Sequence, residues 1–200
     1  MTLESKNLER LYQVLDVIPV INRFMLARLV PEFDSAAIRD AIAAGLKAKT
    51  IKTNTQTQTI SLSHAGEFDV DRMIAYWIFN FSASRNTSIN QMIGGRGESA
   101  LYFQEGDRLY AVVILSTADC RSRSLRLSAG TLDGNDVTIL YAFIAQKDAA
   151  EREAQIQTML DRIVPPLYAD YQLLAVDLGA TLFTRPQITA IPIPNKERRL

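Results

Sequence analysis

The feature that most constrains this chain is a change of rhythm near residue 50. Up to that point apolar side chains recur at helical spacing. Immediately afterwards comes a ribbon of threonines and amides, "TIKTNTQTQTISLS". In "LESKNLERLYQVLDVI", Leu3, Leu8, Leu11 and Leu15 fall near one helical face. Pro19 interrupts that pattern. "INRFMLARLV" reads as a short second helix, ended by Pro31 because proline disfavours helical geometry in the residue before it. Asp34 or Ser35 is the expected cap of a third helix, "SAAIRDAIAAGLKAK". Its Ile38, Ala41, Ile42, Gly45 and Leu46 follow the spacing of a buried stripe. Thr50 to Ser63, rich in β-branched residues, reads as a hairpin turning near Asn54 to Gln56.

Short helices followed by a hairpin are the order of a winged helix-turn-helix, and "PEF" gives the turn before the third helix the length that motif needs. Residues 1–65 are therefore expected to form a winged-helix domain, with "SHAGEFD" as the junction to a second domain, 66–200. There Asp69 is the expected cap of "VDRMIAYWIFNF", whose Val70, Met73, Ile74, Trp77, Ile78 and Phe81 give a broad apolar face. "SASRNTSINQMIGGRGES" is a long polar stretch. Beyond it the period becomes extended. "ALYFQ" and "RLYAVVILST" flank the turn "EGD", and "SLRLSA" is a weaker strand. "DVTILYAFIAQ" suits a central strand covered on both faces. Asp148 and Glu151 have capping-box spacing at the start of another helix. Ile156, Met159, Leu160, Ile163 and Val164 are its stripe, and Pro165-Pro166 its stop. "YQLLAVDL", "ATLFT" and "ITAIPI" read as further strands. The expected fold class is α+β: an N-terminal winged helix-turn-helix followed by a small α/β domain with a mixed sheet.

Bulk properties narrow the function classes. The chain is 48% hydrophobic and 22% charged, ordinary globular content. No apolar run approaches the ~20 residues needed to cross a bilayer. "MTLESKNLER" lacks the apolar core of a signal peptide, so the cytoplasm is the expected compartment and no membrane partner is expected. Net charge is zero, but residues 1–65 carry eight Lys/Arg against six Asp/Glu, and residues 66–200 carry fourteen against sixteen. Any attraction for nucleic acid is thus local to the first segment.

No catalytic constellation stands out. "IGGRGES" lacks the G-x-x-x-x-G-K-[ST] spacing of a phosphate loop and reads as a plain loop. His64 is the one histidine, and a single imidazole cannot build a histidine-based metal site. Cys120, in "TADCRSRSLR", has Arg121 and Arg123 beside it, which lower a thiol pKa. An unpaired cysteine is nonetheless more commonly a small buried hydrophobe. No catalytic residue, metal or cofactor is expected, and the protein is not expected to be an enzyme.

The element order of residues 66–200 resembles that of restriction-endonuclease-like folds. Such nucleases hold a metal with an acid on one strand and a Glu-x-Lys unit on the next. Here "LYAVVIL" holds neither acid nor lysine, Glu105 and Asp107 lie in a turn, and "AFIAQK" offers Gln146-Lys147. The resemblance therefore implies a nuclease-like domain whose site has been lost, because a hard cation needs converging carboxylates. Over most of the chain, "SAAIRDAIAAGLKAKTIKTNTQTQTISLS" with "YFQEGDRLYAVVI" and "DVTILYAFIAQ" resembles the replication-relaxation type of protein from bacterial plasmids and conjugative elements. That resemblance implies a part in DNA transactions on mobile elements, such as copy control, transfer or transcription regulation.

In a winged helix the third helix enters the major groove while the hairpin follows the adjacent backbone. The buried stripe turns Ala36, Arg39, Asp40, Ala43 and Lys47 outward. The expected DNA-binding residues are Ser35, Arg39, Lys47, Lys49, Lys52, Asn54 and Gln56. Arg39 suits guanine edges, Ser35 a phosphate, and the lysines and amides the backbone. Arg23 and Arg28 of the second helix can add to them, whereas Asp40 repels phosphate. The expected partner is double-stranded DNA, with a homodimer doubling the contacts. "VDRMIAYWIFNF" is a candidate dimer surface, core packing its simpler role. Two alternatives stand beside this reading: a protein–protein adaptor using apolar surfaces, and a metal-dependent nuclease-like hydrolase built from distant carboxylates.

Overall fold

The computed structural model describes residues 3–65, 69–82, 89–95, 99–116, 125–126, 131–132, 135–164, 171–179 and 184–192. Its first elements are α1 (Leu3–Val17), β1 (Val20–Asn22), α2 (Arg23–Leu29), α3 (Ser35–Lys47), β2 (Ile51–Asn54) and β3 (Thr59–Leu62). Side-chain caps set the helix starts, each satisfying a backbone N–H that has no partner inside the helix. Asn22 Oδ1 accepts from the Met25 N–H at 2.8 Å, and Asp34 Oδ1 accepts from the Ala37 N–H at 2.7 Å.

β1 is the element the periodicity did not foretell. The residues after Pro19 are extended rather than helical, and they pair antiparallel with β3, Val20 with Ser61, Ile21 with Ile60 and Asn22 with Thr59. The strand owes its existence to a partner far along the chain, so its own residues carry no signal of it. The resulting sheet has the order β1-β3-β2. Because side chains alternate across a strand, Ile21, Ile51 and Ile60 turn into the core. The other face carries the rows Asn22–Thr59–Asn54 and Val20–Ser61–Lys52, polar but for Val20, with Asn22, Thr59 and Ser61 buried and Lys52 and Asn54 exposed.

α4 (Val70–Ser82) follows, its start held by Asp69 Oδ1 accepting from the Arg72 N–H at 3.0 Å. Every residue from Met73 to Phe79 is buried, which means the helix is covered on all sides rather than on one. Towards the sheet, Phe79 meets Phe103 edge-on at 5.2 Å. Towards α2, the Tyr76 hydroxyl donates to the Met25 carbonyl at 3.3 Å. Val70 and Phe81, expected on the apolar face, are 37% and 46% exposed, since burial stops at the helix ends.

Beyond a short 3-10 turn come β4 (Met92–Gly94), β5 (Leu101–Glu105), β6 (Arg108–Leu115), β7 (Leu125–Arg126), β8 (Thr131–Leu132) and β9 (Asn135–Ile144). α5 (Ala149–Arg162), β10 (Ile163–Val164), β11 (Tyr171–Asp177) and β12 (Gln187–Ile191) complete the described elements. The main sheet has the order β12-β11-β9-β6-β5-β4, with β8 beside β9. β6, β9 and β11 are parallel and the outer pairs antiparallel, so the sheet is mixed and the chain is α+β. The hairpin "EGD" turns on Gly106, whose φ of +59° suits glycine. Phe103, Val112, Leu140 and Leu174 join the core around α4, while Ile139, Tyr141, Phe143 and Leu173 pack with Met159 of α5.

α5 is anchored at its start. Asp148 Oδ1 accepts from the Glu151 N–H at 3.0 Å, and Arg152 bonds the Gln146 carbonyl at 3.0 Å and the Asp177 carboxylate at 2.8 Å. Ile163 and Val164, expected in its buried stripe, instead pair in parallel with β7. Cys120 with Arg121 and Arg123, Pro165-Pro166, and the first four residues of "ATLFT" lie outside the described residues, as do parts of the junction and of the glycine-containing loop. Among the described residues no helix is long and apolar enough to cross a membrane.

One cluster of buried side chains runs from Leu11 and Leu15 through Met25 and Tyr76 into Phe103, Val112 and Leu174, so residues on both sides of position 65 share a core. Burial pushes the Tyr76 phenol up from 10.0 to about 12, against smaller opposing effects of Asn80 and Arg28. The unfolded phenol ionises first, so stability is full below pH 10 and falls as pH rises from there towards about 12. Tyr76→Phe is expected to cost about 1 kcal/mol at neutral pH by leaving the carbonyl one donor short. It should also flatten the alkaline fall, which urea unfolding at neutral and alkaline pH measures.

Candidate nucleic-acid interface

The outward edge of α3 and the β2–β3 ribbon are built from one continuous stretch. Ile38, Ala41, Ile42 and Gly45 are buried and fasten α3 against α1 and α2. Ala36, Arg39, Asp40, Ala43 and Lys47 are exposed, as the stripe requires, and among the described residues no part of the C-terminal half covers them. Leu46, expected in the stripe, is 44% exposed, because the helix is already ending and its neighbour Gly45 takes the inward position.

The helix stops in a tight closure. The Thr50 N–H donates to the Gly45 carbonyl and the Lys49 N–H to the Leu46 carbonyl, both at 3.0 Å. This is the pair of bonds of a Schellman motif, with Lys49 at φ 57° in the left-handed position that glycine usually fills. Thr50 is further tied by the Tyr12 hydroxyl. Three residues, 48–50, then carry the chain into β2, where Ile51 plunges into the core. Gly45 makes that possible. A Cβ on Gly45 would meet Ile51 Cδ1 at 2.4 Å and Cγ1 at 2.8 Å.

All seven residues expected to touch DNA are exposed. Ser35 occupies the first position of α3, and Arg39 and Lys47 lie along its outward edge. Lys52 and Asn54, two apart on β2, share the sheet's polar face. Asn54 has a second duty, its Oδ1 accepting from the Gln56 and Thr57 N–H groups at 2.9 and 3.2 Å to close the ribbon turn. Gln56 stands in that turn. Lys52 Nζ donates to the Ala65 carbonyl at 3.4 Å, which uses one of its three N–H groups. Among the described residues no carboxylate pairs with Arg39, Lys47, Lys49 or Lys52. Arg23 and Arg28 are exposed on α2, Arg28 close enough to act on Tyr76.

Several features escaped sequence reasoning, two of them in the ribbon and its sheet. Gln58, at φ 53° where the turn re-enters β3, had no glycine or Asn-Gly signal to mark it. β1, which braces the ribbon from the far side of β3, had no signal of its own. Elsewhere, Asp107 lies in the β5–β6 turn as expected, Glu105 instead ends β5 opposite Arg108, and Gln146-Lys147 follow β9. Among the described residues no three His, Cys, Asp or Glu side chains converge. A cavity of about 470 Å³ lies between α4 and β12, lined by Trp77, Phe81, Arg185, Gln187 and Ile188.

Gly45→Ala is expected to destabilise by about 1–2 kcal/mol, the overlap with Ile51 outweighing the ~1 kcal/mol helix-propensity gain. Adding Ile51→Val, which removes Cδ1, should recover part of the loss, visible as coupling in a double-mutant cycle of chemical unfolding. No protein-family model matches this chain, and no curated protein or solved structure shows significant similarity to it.

Proposed function

We propose that this protein binds double-stranded DNA through α3 and the β2–β3 ribbon, as a winged helix in a regulatory or accessory role, with a non-catalytic second half. The observation that carries the reading is the strand order. A winged helix needs a short strand between its first two helices, laid against the second strand of the hairpin, and the order β1-β3-β2 supports the reading on that ground. The exposed cations of α3 and the ribbon, which among the described residues pair with no carboxylate, supply phosphate contacts. Arg39 is the one guanidinium on an outward face that otherwise carries Ser35, Ala36, Asp40, Ala43, Leu46 and Lys47, so backbone contacts dominate over base reading. With zero net charge, affinity is modest and strongly salt-dependent. The resemblance to replication-relaxation proteins fits such binding to a plasmid or conjugative element.

Fluorescence anisotropy with a mixed-sequence duplex at low salt tests this. Binding is expected, weakened about tenfold in Lys49→Ala/Lys52→Ala. Absence of binding, or binding untouched by that pair, rejects it.

The adaptor reading draws on a different observation, the cavity beside α4 where Phe81 is 46% exposed. An exposed aromatic in an open groove is a common anchor point for a protein partner. A partner retained after nuclease treatment and lost in Phe81→Asp would favour it over DNA binding.

A further inference from the structure

Among the described residues, two that are not glycine hold positive φ, Lys49 at 57° and Gln58 at 53°. A Cβ is disfavoured in that conformation, and glycine is its usual occupant. Both residues lie on the polar ribbon, one where it leaves α3 and one at its tip, and both are exposed. The backbone at Lys49 is fixed from several sides. Its N–H donates to Leu46, the next N–H donates to Gly45, and its carbonyl accepts from Ser63 Oγ at 2.8 Å. Gln58 is held between the Asn54-capped turn and Thr59, which pairs with Asn54. Among the described residues neither side chain has a hydrogen bond or ion pair.

We propose that Lys49 and Gln58 are fixed contacts to the sugar–phosphate backbone, an inference that rests on the duplex-DNA reading above and adds Gln58 to its residues. Glycine at either position would relax the backbone at no cost in internal bonds. Long polar side chains stand there instead, and within the described protein they gain nothing in return. Starting from a locked φ, each side chain loses less freedom on meeting a phosphate than one on a mobile loop. A lysine gives charge and an amide gives a directed donor, and both suit a partner whose repeating feature is an oxyanion rather than a base edge.

The test uses Lys49→Gly, Gln58→Gly and, as a variant that keeps the strain, Lys49→Ala. Each glycine variant should melt higher than the parent by roughly 2–4 °C, while Lys49→Ala should not. Both Lys49 variants should bind a mixed-sequence duplex about three- to tenfold more weakly, and the slope of log affinity against log salt should fall by about 0.9. Gln58→Gly should weaken binding without changing that slope. If the parent binds no duplex, the DNA reading itself fails. If the parent binds and the glycine variants bind equally well, that reading stands and this inference is overturned. Glycine variants that melt no higher overturn its premise of strain.

Discussion

The burial of α4 on every side is the constraint on which the rest of the structure depends. Seven consecutive residues, Met73 to Phe79, are withdrawn from water, and each large apolar side chain so buried contributes about 1.5–3 kcal/mol. A helix of that kind needs two partners. The mixed sheet is one, through Phe103 and Val112, and the helices before it are the other, through Met25 and Leu26. The Tyr76 hydroxyl is a polar group in this interior, and it is accommodated because it donates a hydrogen bond to the Met25 carbonyl at 3.3 Å. The chain's first sixty residues are in this way seated on a shared core, and α3, whose inner edge is spent on α1 and α2, is left with its outer edge free.

What that free edge can do follows from how α3 ends. The helix must pass from a buried glycine to a buried isoleucine within six residues, Gly45 to Ile51, and the missing Cβ lets the two come together. The reversal falls on Lys49, so a cation stands at the sharpest bend of the surface. The ribbon beyond it has one apolar face, sewn into the core by Ile51 and Ile60, and one polar face that carries Lys52 and Asn54. Stability and display are therefore assigned to opposite faces of the same short strands. With no net charge on the whole chain, the proposed attraction to a polyanion rests on such local separation.

Much of this was legible beforehand. The stripe Ile38, Ala41, Ile42 and Gly45 was readable because period is a local property, and so were the caps at Asp34, Asp69 and Asp148, which need a side chain only three residues from its N–H. The exposure of Ala36, Arg39, Asp40, Ala43 and Lys47 follows from the same periodicity. Other features were not readable. β1 exists only because β3 returns to it, Ile163 and Val164 leave the helical pattern because β7 lies alongside, and the second buried side of α4 depends on a neighbour distant in sequence.

By itself, then, the sequence determined where most of the helices lie, which side chains cap α3, α4 and α5, and which edge of α3 meets water, since these are set by interactions a few residues apart. Only the tertiary structure decided that β1 completes a three-stranded sheet, that one core unites α1 to α4 with the mixed sheet, and that Lys49 and Gln58 take left-handed backbone conformations. Strand pairing and burial on a second side arise from contacts between segments far apart in the chain, and the two positive φ values come from local closures that no glycine marks in the sequence.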